Sequence, residues 1–151
     1  MMNKPALGVL IRAAAGIVLC YAGFYKAVGP SAEFAATIMN YHVVPSFVAT
    51  LVAYVLPWIE LSTGTMLILG YSLPWSSRLA EGLFGLFLVV LISAFIRGID
   101  LSSCGCFGTA ILLDPKITAT MDALLLVGTG LFNRLGASPL SLDRWIASAR
   151  S

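Results

Sequence analysis

The segment at residues 77–96 reads SRLAEGLFGLFLVVLISAFI, and beyond Glu81 it carries no charged side chain. A largely apolar stretch of about 18 residues or more is long enough to cross a bilayer as a helix. Working outward from this segment, the same rule predicts four spans, at about residues 7–28, 46–70, 77–96 and 116–132. The predicted fold class is all-α: a polytopic membrane protein whose four transmembrane helices form one bundle, as a single domain over residues 1–151.

The composition agrees with a membrane protein. Of the 151 residues, 59% are hydrophobic and 11% are charged, whereas about 25% of residues are charged in an average soluble domain. The four spans use more than half of the chain and leave no room for a separate soluble domain. A net charge of +2 without a basic cluster gives no indication of a nucleic-acid partner. We expect the protein to be surrounded by membrane lipid.

Two further segments look amphipathic. Phe34 and Ile38 lie one helical turn apart after the first span, and Pro45 ends the pattern. This predicts a short interfacial helix between the first two spans. The C-terminal tail places its apolar side chains on one helical face, and these are Leu142, Trp145 and Ile146. We therefore expect an amphipathic tail lying along the membrane surface.

A polar connector between the last two predicted spans reads SCGCFG at residues 103–108 and holds two of the three cysteines. A disulfide between Cys104 and Cys106 closes a very small ring, so the backbone must turn, and Gly105 permits that turn. Gly108 relaxes the chain after it. An exposed, strained disulfide is labile, which suits thiol exchange better than a structural crosslink. Two alternatives stay open: the thiolates are ligands of a soft metal, or they have no role.

The positive charges are distributed unequally between the two sides of the predicted bundle. One side holds Lys4, Arg12, Arg78, Arg134, Arg144 and Arg150, and the other holds Lys26, Arg97 and Lys116. Lys and Arg near the ends of spans favour the cytoplasmic side. The bias predicts a bacterial inner (cytoplasmic) membrane protein with both termini cytoplasmic. The CGC motif is then in the periplasm, where disulfides persist.

Two ionisable residues fall deep inside predicted spans. At 1.5 Å per residue, Glu60 lies about 21 Å below Ser46, and Arg12 lies about 24 Å below Val28. The similar depths predict an Arg12–Glu60 ion pair that ties the first two spans together. The alternative is a functional one, because a buried acid is often part of a proton path or a ligand site. Glu60 is then a proton carrier or the acid of a quinone site.

Four more polar residues are predicted on the side of the cysteines. Asp122 can pair with either of two bases, Lys26 and Arg97. A positive charge beside the cysteines favours the attacking thiolate. His42 either moves protons during thiol oxidation or is only a polar residue at the membrane boundary.

A set of short motifs runs from the first span to the cysteine connector. They are Arg12, Ala22-Gly23-Phe24-Tyr25-Lys26, Phe34, Tyr41, Pro45, Leu56-Pro57-Trp58-Ile59-Glu60, Gly64, Arg97-Gly98 and Cys104-Gly105-Cys106-Phe107-Gly108. Together they resemble the MauE/DoxX family of redox-associated membrane proteins. The resemblance implies a four-helix membrane bundle. Its MauE branch implies a role in the maturation of methylamine dehydrogenase, whose small subunit needs several disulfides, beside a periplasmic thioredoxin-like protein. Its DoxX side includes a subunit of a thiosulfate:quinone oxidoreductase.

The function that we predict is thiol/disulfide exchange through Cys104 and Cys106 with a periplasmic thioredoxin-like or disulfide-containing protein. Phe107 follows Cys106 and favours it as the buried, resolving cysteine. Electrons then pass to or from the membrane, with a quinone as the acceptor that this hypothesis allows. The sequence has no haem pair, flavin motif or nucleotide motif, so no cofactor of its own is evident. Whether the chain is an enzyme by itself stays open. The alternatives are a structural or assembly subunit among other membrane subunits, and a soft-metal thiolate carrier.

Overall fold

The computed structural model describes residues 4–98, 115–135 and 148, and nearly all of them are helical. The described helices are α1 (Lys4–Val28), α2 (Ser31–Asn40), α3 (Ser46–Leu69), α4 (Leu73–Ile96) and α5 (Pro115–Leu135). No strand occurs within these ranges. The predicted all-α fold class is therefore confirmed.

Three of the described helices are long and apolar enough to cross a membrane: Leu7–Val28, Ser46–Leu69 and Leu73–Ile96. Helix α5 coincides with the fourth predicted span. It is less apolar, because Lys116, Asp122 and Arg134 interrupt it. The number of spans shown by helix length and composition is thus three within the described part of the chain.

Helix α4 begins at Leu73, before the start at residue 77 that we predicted. Proline is tolerated in the first turn of a helix, because the N–H that it lacks has no intrahelical partner there. Pro74 therefore lies inside the helix that it was expected to precede, and Ser72 with φ 48° makes the turn instead.

The bundle is built from two helix pairs, α1 against α3 and α4 against α5, with α4 also contacting α3. Between the pairs lies a cluster of buried apolar side chains: Ala15, Leu19, Leu67, Ala80, Leu83 and Phe84. Large apolar side chains on the outer surface are exposed, among them Phe47, Trp58 and Trp75. An apolar exterior of this extent fits a lipid environment.

Small residues set the register of α1 against α3. A Cβ atom added to Gly64 would lie 2.7 Å from Cys20 Sγ and from the Gly16 carbonyl oxygen. A Cβ atom added to Gly23 would lie 2.8 Å from the Pro57 carbonyl oxygen. The backbones approach closely along this line, as small residues allow at helix interfaces in membranes.

In this register, α3 extends beyond the C-terminal end of α1. Gly23 faces Pro57 and Leu61, so Val28 is level with about residue 54. Helix α3 therefore extends about 12 Å beyond the end of α1, at 1.5 Å per residue. Helix α2 packs against α3. The loop after α2 also contacts the end of α4, because Arg97 Nη1 donates to the carbonyl oxygens of Tyr41 at 3.4 Å and His42 at 3.3 Å.

Candidate functional site

A buried ion pair joins α1 to α3. Lys26 Nζ lies 2.5 Å from Glu60 Oε1, and the two side chains are 1% and 0% exposed. Gly23, one turn before Lys26, leaves room for α3, since a Cβ atom there would lie 3.0 Å from Glu60 Cβ. A charged pair so completely removed from water is costly to bury, and intramembrane charges of this kind mark functional sites.

The predicted Arg12–Glu60 pair is wrong. The prediction measured depth from Val28 and from Ser46 as if these two residues lay at the same height in the bundle, whereas α3 extends well past the end of α1. Glu60 lies beside Gly23, and Arg12 is about 16 Å further along α1 at 1.5 Å per residue. Arg12 is nevertheless buried, at 6% exposure. The prediction that both charges lie inside the bundle holds, but Glu60 takes a different partner.

Two aromatic rings complete the surroundings of the ammonium group. Lys26 Nζ lies 5.5 Å from the ring centroid of Phe34 on α2 and 5.0 Å from that of Phe87 on α4. Both distances are within the range of cation–π attraction. One lysine on α1 is thus contacted by side chains from α2, α3 and α4.

A cavity of about 240 Å³ adjoins this cluster. Its lining includes Lys26 and otherwise consists mostly of apolar side chains, among them Phe34, Ile38, Val52, Phe87 and Val90. A lysine ammonium has three N–H donors, and one is directed to Glu60 Oε1. Glu60 Oε2 and Thr63 Oγ1 are buried and make no hydrogen bond to any described residue. The site therefore has hydrogen-bonding groups that no described residue satisfies, and its surroundings are apolar.

Three other polar residues predicted for the site, Arg97, His42 and Asp122, lie in the described part of the chain. Arg97 and His42 are exposed, and Arg97 binds backbone carbonyls of the loop after α2. Asp122 is buried in α5, at 3% exposure. Lys26 binds Glu60 and Arg97 binds backbone carbonyls, and the pairing of either base with Asp122 stays a prediction.

The predicted redox motif, residues 104–108, lies outside the described residues. The chain leaves α4 at Arg97 and Gly98 and resumes at Pro115. The third cysteine, Cys20, lies in the contact between α1 and α3, with its sulfur 3.9 Å from the Leu61 carbonyl oxygen. The small side chain of Cys20 therefore packs in this helix contact.

A second polar cluster, between α4 and α5, did not emerge from the sequence. Ser77 Oγ donates to Asn133 Oδ1 at 2.5 Å, and Asn133 Nδ2 donates to Glu81 Oε2 at 2.8 Å. The roles of Phe34 and Phe87 beside Lys26 were also missed. The spacing of Gly16, Cys20 and Gly23 was the available signal for the register, because small residues at such intervals mark a close helix contact.

The chain is similar to proteins of methylamine utilisation. The profile of the family described as "Methylamine utilisation protein MauE" matches residues 4–134. A "Methylamine utilization protein MauE" from Methylorubrum extorquens is 31% identical over 107 residues, which cover 71% of this chain and 57% of that protein. One from Methylophilus methylotrophus is 27% identical over 144 residues, which cover 95% of this chain and 74% of that protein.

The match thus spans about half to three quarters of the length of these relatives. No solved structure matches the chain. The family profile covers all five described helices and the connector between α4 and α5. This chain belongs to the MauE family, as the resemblance predicted.

Proposed function

We propose that this protein is an inner-membrane accessory protein of methylamine utilisation that exchanges disulfides with a periplasmic thioredoxin-like or disulfide-containing partner. The observation that carries the proposal is the family match, which runs through the Cys104-Gly105-Cys106 connector as well as the helices. The names of the two relatives supply the pathway. The buried charges of the bundle support a task beyond simple anchoring.

The proposed topology has four spans. Helix α5 follows the connector and returns the chain across the bilayer as the fourth span, although it is less apolar than the others. Helix α2 lies in the interface and covers the part of α3 that extends past α1. The amphipathic tail lies on the cytoplasmic surface. Both termini are then cytoplasmic, and Cys104 and Cys106 lie in the periplasm, as the charge bias favours.

The exchange step forms one S–S bond for each one that breaks. A partner thiolate attacks one sulfur of the Cys104–Cys106 disulfide, a new S–S bond joins the two proteins, and the other cysteine leaves as a thiolate. A second partner thiol displaces the attacked cysteine. The partner gains a disulfide, and Cys104 and Cys106 are left as thiols. A membrane-soluble quinone takes the two electrons and two protons released when they close again, and becomes a quinol.

Single-cysteine variants test the proposal. In the reverse direction, the cysteine that left is the one that resolves the mixed disulfide. Expression of Cys104→Ser and Cys106→Ser, followed by a non-reducing gel, therefore should reveal a reductant-sensitive adduct in the variant that lacks the resolving cysteine. We expect this to be Cys106→Ser, because Phe107 favours Cys106 as the buried sulfur.

The same experiment decides against the alternatives. If neither variant traps a partner and both support methylamine utilisation like the wild type, the exchange mechanism is wrong. A structural or assembly role then takes its place, and stable co-purification with other membrane subunits becomes the expected finding. A soft-metal carrier instead binds metal through both thiolates under reducing conditions and forms no adduct.

A further inference from the structure

The cavity beside Lys26 combines an apolar lining with a charged pair whose net charge is zero. Lys26, at 4% exposure, lines it, and Glu60 Oε1 balances the ammonium at 2.5 Å. An added carboxylate or phosphate at this place would be a second, uncompensated negative charge, which is costly in an apolar medium. The cavity therefore favours a neutral ligand over a fatty acid or a phospholipid headgroup.

The polar part of that ligand is a hydrogen-bond acceptor. Lys26 Nζ has N–H donors beyond the one directed to Glu60, and an ammonium accepts no hydrogen bond. The ring centroids of Phe34 and Phe87 lie 5.5 Å and 5.0 Å from Nζ, and both rings present a face to it. A flat ring with a carbonyl oxygen fits both features, since the carbonyl reaches the ammonium while the ring packs on apolar and aromatic side chains.

From this geometry we infer that the Lys26 cavity binds the head group of a quinone-class lipid, with Lys26 as the donor to one carbonyl oxygen. The inference rests on the proposed function for its redox use, because a quinone and a dithiol exchange the same two electrons and two protons. A cavity of about 240 Å³ holds one substituted ring and not the isoprenoid tail. The tail then follows the apolar outer surface of the bundle.

The location is consistent with electron transfer from the cysteine connector. Tyr41 and Val43 line the cavity, and Arg97 binds the carbonyl oxygens of Tyr41 and His42. Arg97 is also the point at which the chain leaves α4 towards Cys104. The cavity and the start of the connector thus share one end of the bundle.

Photolabelling tests the site directly. The probe is a benzoquinone that carries an azide and a decyl tail, added to purified protein in which Cys104 and Cys106 are both replaced by serine. We expect labelled peptides from α2 or from the Phe87 turn of α4, and we expect decyl-benzoquinone to compete. Decylbenzene, which has the ring and tail without carbonyls, should compete at least tenfold less well, because the hydrogen bond to a charged donor is absent.

Two variants place the ligand inside the cavity. Val90 lines it, whereas Val89, the adjacent residue, is 65% exposed on the outer surface. Val90→Phe fills the cavity without touching the ion pair and should reduce labelling about tenfold or more, while Val89→Phe is the matched control and should leave it unchanged. The double variant Lys26→Met with Glu60→Gln should abolish the preference for the quinone over decylbenzene.

Each contrary result overturns the inference. Equal labelling of Val90→Phe and Val89→Phe places the quinone elsewhere, and equal competition by decylbenzene makes the occupant a hydrocarbon chain. The inference and the proposed function also fail separately. Labelling in the protein that lacks Cys104 and Cys106, without any trapped partner in the single-cysteine variants, removes only disulfide exchange. A trapped partner without labelling removes only the quinone site.

Discussion

At the scale of single residues, the Lys26–Glu60 pair is the central feature. Both charges are almost fully removed from solvent. The mutual attraction of such a pair roughly offsets the cost of desolvating it, so the pair adds little net stability. Losing one partner is different, because it leaves the other charge buried and unpaired. The pair is therefore a constraint on both residues at once.

A double-mutant cycle should reveal this coupling. We expect Lys26→Met to destabilise the protein by about 3–5 kcal/mol, because the Glu60 carboxylate then has no counter-charge. Adding Glu60→Gln should recover much of that loss. The measurement is thermal unfolding in detergent, followed by circular dichroism. If the double variant loses as much as the two single variants together, the two side chains are not coupled and the ion pair has no energetic meaning.

At the scale of elements, the lengths of the apolar runs predicted where the helices occur. The register between the helices could not be predicted from the sequence. The segments at residues 46–70 and 116–132 correspond closely to α3 and α5. The length of an apolar run does not determine the offset between neighbouring helices. This offset decides which base pairs with Glu60. The cavity could not be predicted from the sequence either, because Phe34 and Phe87 belong to separate helices and line the same cavity only after folding.

Substitution of glycine by alanine tests the register of α1 against α3. Gly64→Ala places a Cβ atom 2.7 Å from Cys20 Sγ and from the Gly16 carbonyl oxygen, so α1 and α3 must separate. Overpacking of this kind costs about 1–3 kcal/mol. Gly82→Ala is the matched control in α4, where the added Cβ has no described residue within 4 Å beyond its own turn of the helix. It should be neutral or stabilising by up to about 1 kcal/mol, since alanine has the higher helix propensity. Equal melting temperatures for the two variants in detergent would contradict the close α1–α3 contact.

At the scale of the whole molecule, orientation decides whether the chemistry is possible. Disulfides persist in the periplasm and are reduced in the cytoplasm, so the cysteines must be outside for the proposed exchange to run. The charge bias favours this orientation. Its strength comes partly from Arg144 and Arg150 in the tail. The described helices contribute four more positive residues to the same predicted side, which are Lys4, Arg12, Arg78 and Arg134.

Cysteine labelling in spheroplasts measures the orientation. After mild reduction, a membrane-impermeant maleimide should label Cys104 and Cys106 in intact spheroplasts, because the proposed topology places them outside. Cys20 is an internal control, since it lies in the α1–α3 contact and should resist the reagent before and after lysis. A variant with Cys104→Ser and Cys106→Ser gives the background from that thiol. Labelling that appears only after lysis would place the connector in the cytoplasm. Exchange with a periplasmic partner would then be impossible, whereas a quinone could still reach the Lys26 cavity from within the bilayer.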